Sequence, residues 1–374
     1  MSTVVRVNGQ SFDYFKQLDI SRSLDHFAGE CRIMVTEQIN DQSFLLINDQ
    51  VDILLDGFQR IHGYAEKTSD SESSDSHDVS FTIREMSDLI DSTIPDNLKT
   101  ITGVSAFSSL INIALKGLEL TGIKVIDQNY FRMPETLKAG EVGQKTLDYL
   151  LDYARMVGAI LSTDGKGNII IYKLGTLNPT MLINQRNGTN NNILDSSLDI
   201  DYSSRYYHYL FRSQGGIDQQ WNDGNNYTVH SYKGEAFDEE IRTTRRLELK
   251  SETPMNSDQL AVRASQESNL RRARSVTYTV RVNGFSANST PWEIGQLVKV
   301  NDEKKKIKGV FLIKEISMSS SSGGEITELK LTYPDAYGVN AVLNDDNTVT
   351  VSSNYLQTPQ NWKKVRSIKG TQTT

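Results

Sequence analysis

The sequence is poor in cysteine. Cys31 is the single one in 374 residues, so no intrachain disulfide can form, and a disulfide-stapled secreted fold and a cysteine-based zinc site are both excluded. Long apolar runs are missing as well; none approaches the roughly 18–20 residues that a membrane span requires. The opening stretch MSTVVRVNGQ has no basic segment followed by an apolar one, so no signal peptide is expected. Basic charge is also short: 40 Lys and Arg face 47 Asp and Glu, a net −7. That is the opposite of the clustered basic excess that grips nucleic-acid phosphates. These absences give the expectation of a soluble protein made in a cytoplasm, with no membrane partner. Apolar residues make up only 37% of the chain and the mean hydropathy is −0.45. Such leanness suits about two to four small modules better than one large core, and small modules gain stability from oligomer interfaces.

What is present is mostly period-two patterning. Over residues 1–95, Val4–Val7 leads into Asn8-Gly9, two residues that tolerate positive φ and signal a hairpin. Alternating runs follow at Cys31–Thr36, Val51–Leu55 and Val79–Ile83. Thr68–Asp78 is rich in Ser, Asp and Glu with nothing to bury and reads as a solvated loop. Residues 96–185 change period. Phe107, Leu110, Ile111, Ala114, Leu115 and Leu118 fall at helical spacing behind a serine cap at Ser105. A second helix over 144–157 ends at Gly158. Asp164-Gly165 turns into a strand at Ile169–Tyr172, so this stretch reads as an inserted α+β module. Residues 186–338 are β again, with one helix near Ser257–Arg272. From 339 to 374 the chain is polar and reads as an extended C-terminal tail.

The β regions echo each other. Val5-Arg6-Val7-Asn8-Gly9 recurs as Val280-Arg281-Val282-Asn283-Gly284. More tellingly, Val51-Asp52-Ile53, Ile61-His62-Gly63-Tyr64, a serine loop and Val79–Ile83 match Val298-Lys299-Val300, Ile307-Lys308-Gly309-Val310, the serines 317–322 and Thr327–Leu331. Two copies of one β module separated by an insertion is the economical reading. Gly63 and Gly309 are read as turn or bend positions.

With these residues in order, the sequence resembles the baseplate hub proteins of Mu-like contractile-tailed phages, a family related to the base of type VI secretion spikes. The resemblance is carried by Ile20–Asp25 with Ala28-Gly29, Ile61–Tyr64, Arg84–Ser92, Pro291-Trp292 to Val298, and Gly324–Leu331 ending at Pro334–Tyr337. It covers most of residues 1–338. Ile83-Arg84-Glu85 stands where the family often has Gly-Arg-Asp. The resemblance implies a mainly β α+β fold with two barrel-like tail-tube-type modules and a homotrimer. Its partners would be the tail tube or a tube-terminating protein, the central spike and other baseplate proteins. DNA would pass through without sequence-specific binding, and the place would be the virion, after assembly in the host cytoplasm. Three chains with two modules each would imitate a sixfold ring. Secretion-spike bases continue into a spike domain, and none is expected in this sequence.

The chemistry-bearing residues give no strong motif. Cys31 alternates within a strand and is expected buried and inert. His26, His62, His77, His208 and His230 lie far apart, without HxH or HExxH spacing. Asp195, Asp199 and Asp201 fit the solvent face of a strand, and Asp345-Asp346 a turn. Residues 164–168 form a hairpin turn and Lys304–Lys306 a charged loop tip. Arg242, Arg245, Arg246, Arg271, Arg272 and Arg274 flank the last helix; inter-subunit ion pairs and plain surface display both fit them. Tyr202, Tyr206, Tyr207, Tyr209 and Phe211 read as strand and interface packing rather than a glycan or single-stranded DNA site. No catalytic residue, metal ligand or cofactor is assigned, and the expectation is a structural protein, not an enzyme. The rivals are a host-recognition or carbohydrate-binding tail protein and a tail-associated cell-wall hydrolase.

Overall fold

The computed structural model describes residues 3–353 apart from 13–14, 37–44, 73–76, 102, 129, 134–136, 173–175, 218–228, 252–254, 338 and 344–348. The first half is built from β1 (Thr3–Val7), β2 (Gln10–Phe12), β3 (Gln17–Ser23), β4 (Glu30–Thr36), β5 (Gln50–Leu55), β6 (Phe58–Glu72) and β7 (His77–Arg84). Alternation explains them: Val51, Ile53 and Leu55 are fully buried while the residues between face outward. Asn8-Gly9 and Asp56-Gly57 both adopt positive φ and close the β1–β2 and β5–β6 hairpins.

A helical unit follows: α1 (Ser87–Asp91), α2 (Asp96–Lys99), α3 (Phe107–Gly117), β8 (Val125–Asp127), α4 (Thr146–Val157), β9 (Leu161–Thr163) and β10 (Ile169–Ile171). Phe107, Leu110, Ile111, Ala114 and Leu115 of α3 meet Leu147, Leu150 and Ala154 of α4 in a core of their own, which also takes in Phe27 and Leu89. Gly158 ends α4 in the left-handed conformation, as its position suggested. The cap of α3 differs from expectation. The helix starts at Phe107 after Ala106, and no side chain caps it.

The second half comprises β11 (Thr176–Asn184), β12 (Ile193–Ile200), β13 (His208–Ile217), β14 (Val229–Phe237), β15 (Arg246–Lys250), α5 (Ser257–Ser275), β16 (Val276–Asn283), β17 (Ser286–Ala287), β18 (Thr290–Pro291), β19 (Gln296–Asp302), β20 (Ile307–Ser321) and β21 (Gly324–Thr332). A 3₁₀ turn, Pro334–Tyr337, precedes β22 (Val339–Leu343) and β23 (Val349–Ser353). Strands β13–β15 form a separate sheet whose Tyr209 and Phe211 pack on Leu260 and Ala264 of α5. Asn256 and Gln259 close a capping box at the start of α5. Gly234 on β14 makes this packing possible: a Cβ there would lie 2.1 Å from the Leu260 carbonyl carbon.

The remaining long strands of both halves join one 13-stranded sheet, and a single hydrophobic core runs from Val5 to Leu331 across both halves. Reading outward, the first half runs β3-β4-β7-β6-β5-β1 and the second β12-β16-β21-β20-β19-β11. The order is the same, and so is the order along the chain. The likeness reaches single residues. Tyr64 pairs with both Gln50 and Arg84, where β6 passes from β5 to β7. Leu312 pairs with both Leu297 and Thr332, where β20 passes from β19 to β21. Each strand then skips one residue, Glu66 or Lys314, in the ladder it enters. The outermost strands differ, since β1 runs antiparallel to β5 and β11 parallel to β19.

Three expectations need correction. The serine stretches are not solvated loops: β6 runs to Glu72, β7 starts at His77, and β20 runs to Ser321. Backbone pairing holds these ends, so they need no apolar side chains. β11 belongs to the main sheet rather than to the inserted unit. Val339–Leu343 and Val349–Ser353 pair as antiparallel strands, Val339 opposite Ser353 and Leu343 opposite Val349, so this part is not an extended tail. The predicted turn at Asp345-Asp346 and residues 354–374 lie outside the described residues.

Candidate assembly interfaces

The two halves are stitched at one seam. β3 of the first pairs antiparallel with β20 of the second, Ser23 opposite Glu315 through Gln17 opposite Ser321. A buried arginine pins the halves beside it. Arg60 on β6, 4% exposed, donates from Nη1 to the Trp292 carbonyl at 3.2 Å and from Nη2 to the Phe285 carbonyl at 3.4 Å. Burial lowers its pKa to about 10 despite Glu293 nearby.

The helical unit is fastened by a second buried charge. The Glu85 carboxylate, at its Oε2, accepts from the Gly29 N–H at 2.8 Å and the Thr163 hydroxyl at 2.5 Å. Arg22 lies 3.8 Å from the same oxygen and donates to the Thr163 carbonyl and hydroxyl. The Asp164–Asn168 turn seats on β6: a Cβ at Gly165 would fall 2.5 Å from the Arg60 carbonyl oxygen. It is a hairpin turn, as read from the sequence, with Asp164 accepting from the backbone of Lys166 and Asn168. Beside this junction a cleft of about 450 Å³ is lined by Arg22, His26, Phe27, Arg84, Leu147 and Glu315, among others.

Asp302, at the end of β19, gathers three strands. Its Oδ2 accepts from Tyr278 of β16 at 2.6 Å, Ser196 of β12 at 2.9 Å and Asn184 of β11 at 3.1 Å. Its Oδ1 accepts from the Lys305 N–H at 2.9 Å. Burial pushes this carboxyl up, but the hydrogen bonds outweigh it and hold the group below the usual carboxylate range.

The flanking arginines are largely engaged inside the chain. Arg272, 8% exposed, pairs with Glu240 and Asp335. Arg271 pairs with Glu267 and donates to the Ser204 carbonyl, Arg245 binds the Tyr202 and Ser203 carbonyls, and Arg246 pairs with Glu248. Arg274 reaches Asp25 of the first half at 3.3 Å. Arg242 is exposed. Sequence reading missed the centre of this group, Arg205, which is 1% exposed and grips Asp238 bidentately. Only its place among tyrosines could have pointed to it. Tyr202 and Tyr206 are covered by arginines, with Arg205 4.4 Å over the Tyr202 ring and Arg245 and Arg271 5.2 and 5.4 Å from Tyr206. Tyr209 and Phe211 face α5.

Gly63 and Gly309 lie inside β6 and β20, not in turns. Aligned on Tyr64 and Leu312, Gly63 matches Phe311, so the two glycines sit on corresponding strands two residues out of step. Gly63 is there for close approach, since a Cβ would stand 2.2 Å from the Arg84 carbonyl oxygen. Cys31 is fully buried and its thiol is pushed up by burial and by Asp19 and Glu30. His62 pairs with Asp52 and His77 with Asp70, each at 2.6 Å. The His230 side chain is outside the described ones. Among the described residues no three His, Cys, Asp or Glu side chains gather into a metal site, and no helix is long and apolar enough to cross a membrane. Asp195 faces out from β12, 3.3 Å from Arg281.

Several strand edges lack a backbone partner among the described residues, those of β2, β11, β14 and β15 included, and two more belong to the run β12-β16-β21-β20-β3-β4-β7-β6 of the main sheet. β12 pairs only with β16, and β6 beyond Ala65 pairs only with β7.

The fold is similar to that of solved phage tail proteins. The chain is similar to the 43 kDa tail protein of prophage MuSo2 from Shewanella oneidensis, with a TM-score of 0.73 and 20% identity over 90% of this chain and 100% of that one. It is similar to the tail protein from Neisseria meningitidis MC58, at 0.71 and 18% over 90% and 97%. Prophage tail protein gp18 from Listeria monocytogenes EGD-e follows at 0.53 and 12%, over 89% and 94%. No protein-family model matches the sequence, and no curated protein matches it. The resemblance read from the sequence is borne out at the level of fold, and the mainly β α+β class with it.

Proposed function

We propose that the chain is the structural hub of a contractile-tail baseplate, a homotrimeric ring that joins the sixfold tail tube to the threefold central spike around the channel through which DNA leaves. The supporting observation is the internal repeat: two halves with one strand order, one partner change and one bulge position in common. A chain that carries two like modules lets three copies present six like surfaces, which is what a threefold-to-sixfold adaptor needs. On this reading the two β halves are the ring modules, the helical unit is an insertion on their outside, and residues from 339 onward dock on a neighbour. The role is architectural, and no residue is assigned to catalysis.

The test is the mass of the full chain by light scattering, alone and with its spike protein, together with negative-stain images. The expected result is three chains per particle and a three-lobed ring with a central hole. A stable monomer in both conditions, or two chains per spike trimer, overturns the proposal.

A further inference from the structure

β3·β20 shows how one half of this molecule meets another, and the repeat shows where the same joint is left unmade. Through their registers the two halves align residue by residue. β6 residues Lys67, Thr68, Ser69 and Asp70 take the places of Glu315, Ile316, Ser317 and Met318 on β20. Leu198, Asp199 and Ile200 of β12, with Asp201 just after the strand, take the places of Ile20, Ser21, Arg22 and Ser23 along the β3 line. In the made joint Ile20 faces Met318 and Ser23 faces Glu315. As β2 and β11 do elsewhere in the sheet, the equivalent stretches of β6 and β12 each lack a partner on one side among the described residues.

They lie at opposite ends of the run β12-β16-β21-β20-β3-β4-β7-β6. One chain therefore cannot pair them with each other without closing on itself, whereas a second copy can. We propose that β6 of one subunit pairs antiparallel with β12 of the next, in the register that β3 and β20 use inside the chain. This rests on the trimeric reading above and gives its seam. The pairs are Lys67 with Asp201, Thr68 with Ile200, Ser69 with Asp199, Asp70 with Leu198, Ser71 with Ser197 and Glu72 with Ser196, the second of each from the neighbour.

Three features agree with it. Lys67 meets a carboxylate, Asp201, so the end of the seam is complementary in charge. Ile200, 51% exposed on its own chain, gains cover opposite Thr68. Unpaired strand edges attract further strands, and a ring removes both at once. Every contact between neighbours is then a copy of a contact already made within the chain, and the sheet becomes continuous around the ring.

The experiment is site-directed crosslinking in the full chain. Directly opposed residues of an antiparallel pair bring Cα atoms to about 4.5–5.5 Å, within disulfide reach, and native Cys31 is fully buried. Ser69→Cys combined with Asp199→Cys is expected to run as a covalent trimer on a denaturing gel after mild oxidation and to revert on reduction. Ser69→Cys with Asp195→Cys, displaced by about 13 Å along the strand, is expected to stay monomeric on the gel. Light scattering is run on the same samples. Trimers that do not crosslink at 69/199, or crosslink equally at 69/195, overturn the seam and leave the trimer standing. A chain monomeric with and without its spike protein overturns both. Independently, Lys67→Asp is expected to weaken the trimer about tenfold, and Asp201→Lys in the same chain to restore it; no restoration rejects this pairing.

Discussion

Replacing Asp302 by alanine tests whether one carboxylate holds β11, β12 and β16 against β19. The substitution strips the acceptor from Tyr278, which is fully buried, and from Asn184, which is 6% exposed. Each orphaned buried donor costs about 1–3 kcal/mol. Ser196 and Lys305 are less buried and can turn to water. A loss of about 4 kcal/mol follows for the folded state, which for a chain of this length lowers the melting temperature by about 5 °C. Urea unfolding should show an earlier midpoint with an unchanged slope. The pH dependence supplies an internal check. The folded carboxyl titrates below its unfolded value, so its stabilisation is fully present above about pH 4 and is lost as pH falls through the depressed folded pKa. Asp302→Asn keeps the shape but does not titrate, so the gap between it and the native chain should narrow as the pH drops below 4. An alanine variant within about 1 kcal/mol of native, or an asparagine gap that is constant from pH 7 to pH 2, would refute the reasoning.

The glycines give a paired test: Gly63→Ala should cost more than about 3 kcal/mol because its Cβ meets backbone at 2.2 Å, whereas Gly309→Ala, with nothing nearer than Phe311 at 3.7 Å, should cost less, about 1–2 kcal/mol, from its φ of +159° alone. Denaturant midpoints decide it, and equal losses would reject the close-approach argument. Arg60→Ala should destabilise by about 3 kcal/mol, since it removes two charged donors from buried carbonyls and leaves a hole. A neutral result in the same assay would mean that the halves do not depend on this pin.

The repeat was legible because matched strands keep matched spacing: Val51 and Val298 do occupy equivalent places, opposite Gly63 and Phe311. The glycines misled because Gly63 answers to the Arg84 carbonyl and Gly309 to its own φ of +159°, and type alone does not carry that difference. The serine stretches were misread because a strand end held by backbone pairing needs no apolar side chains, so hydrophobic periodicity is silent there. The arginines were found but not their partners. Asp25 lies about 250 residues from Arg274, and only the fold brings them together. The open edges of β6 and β12 were invisible for the same reason, being properties of a sheet rather than of a segment.

The seam between β3 and β20 sets a clock on the birth of the molecule. Ile20 leaves the ribosome about 300 residues before its partner Met318, a wait of roughly 15–60 s at ~5–20 residues per second. Throughout that interval β4 and β7 can already flank the first half, yet β3 keeps one edge bare. Crowded polysomes would set such edges from neighbouring nascent chains side by side. The charged residues on and around it, Asp19, Arg22 and Asp25, are the kind that discourage premature pairing until the chain's own late strand arrives.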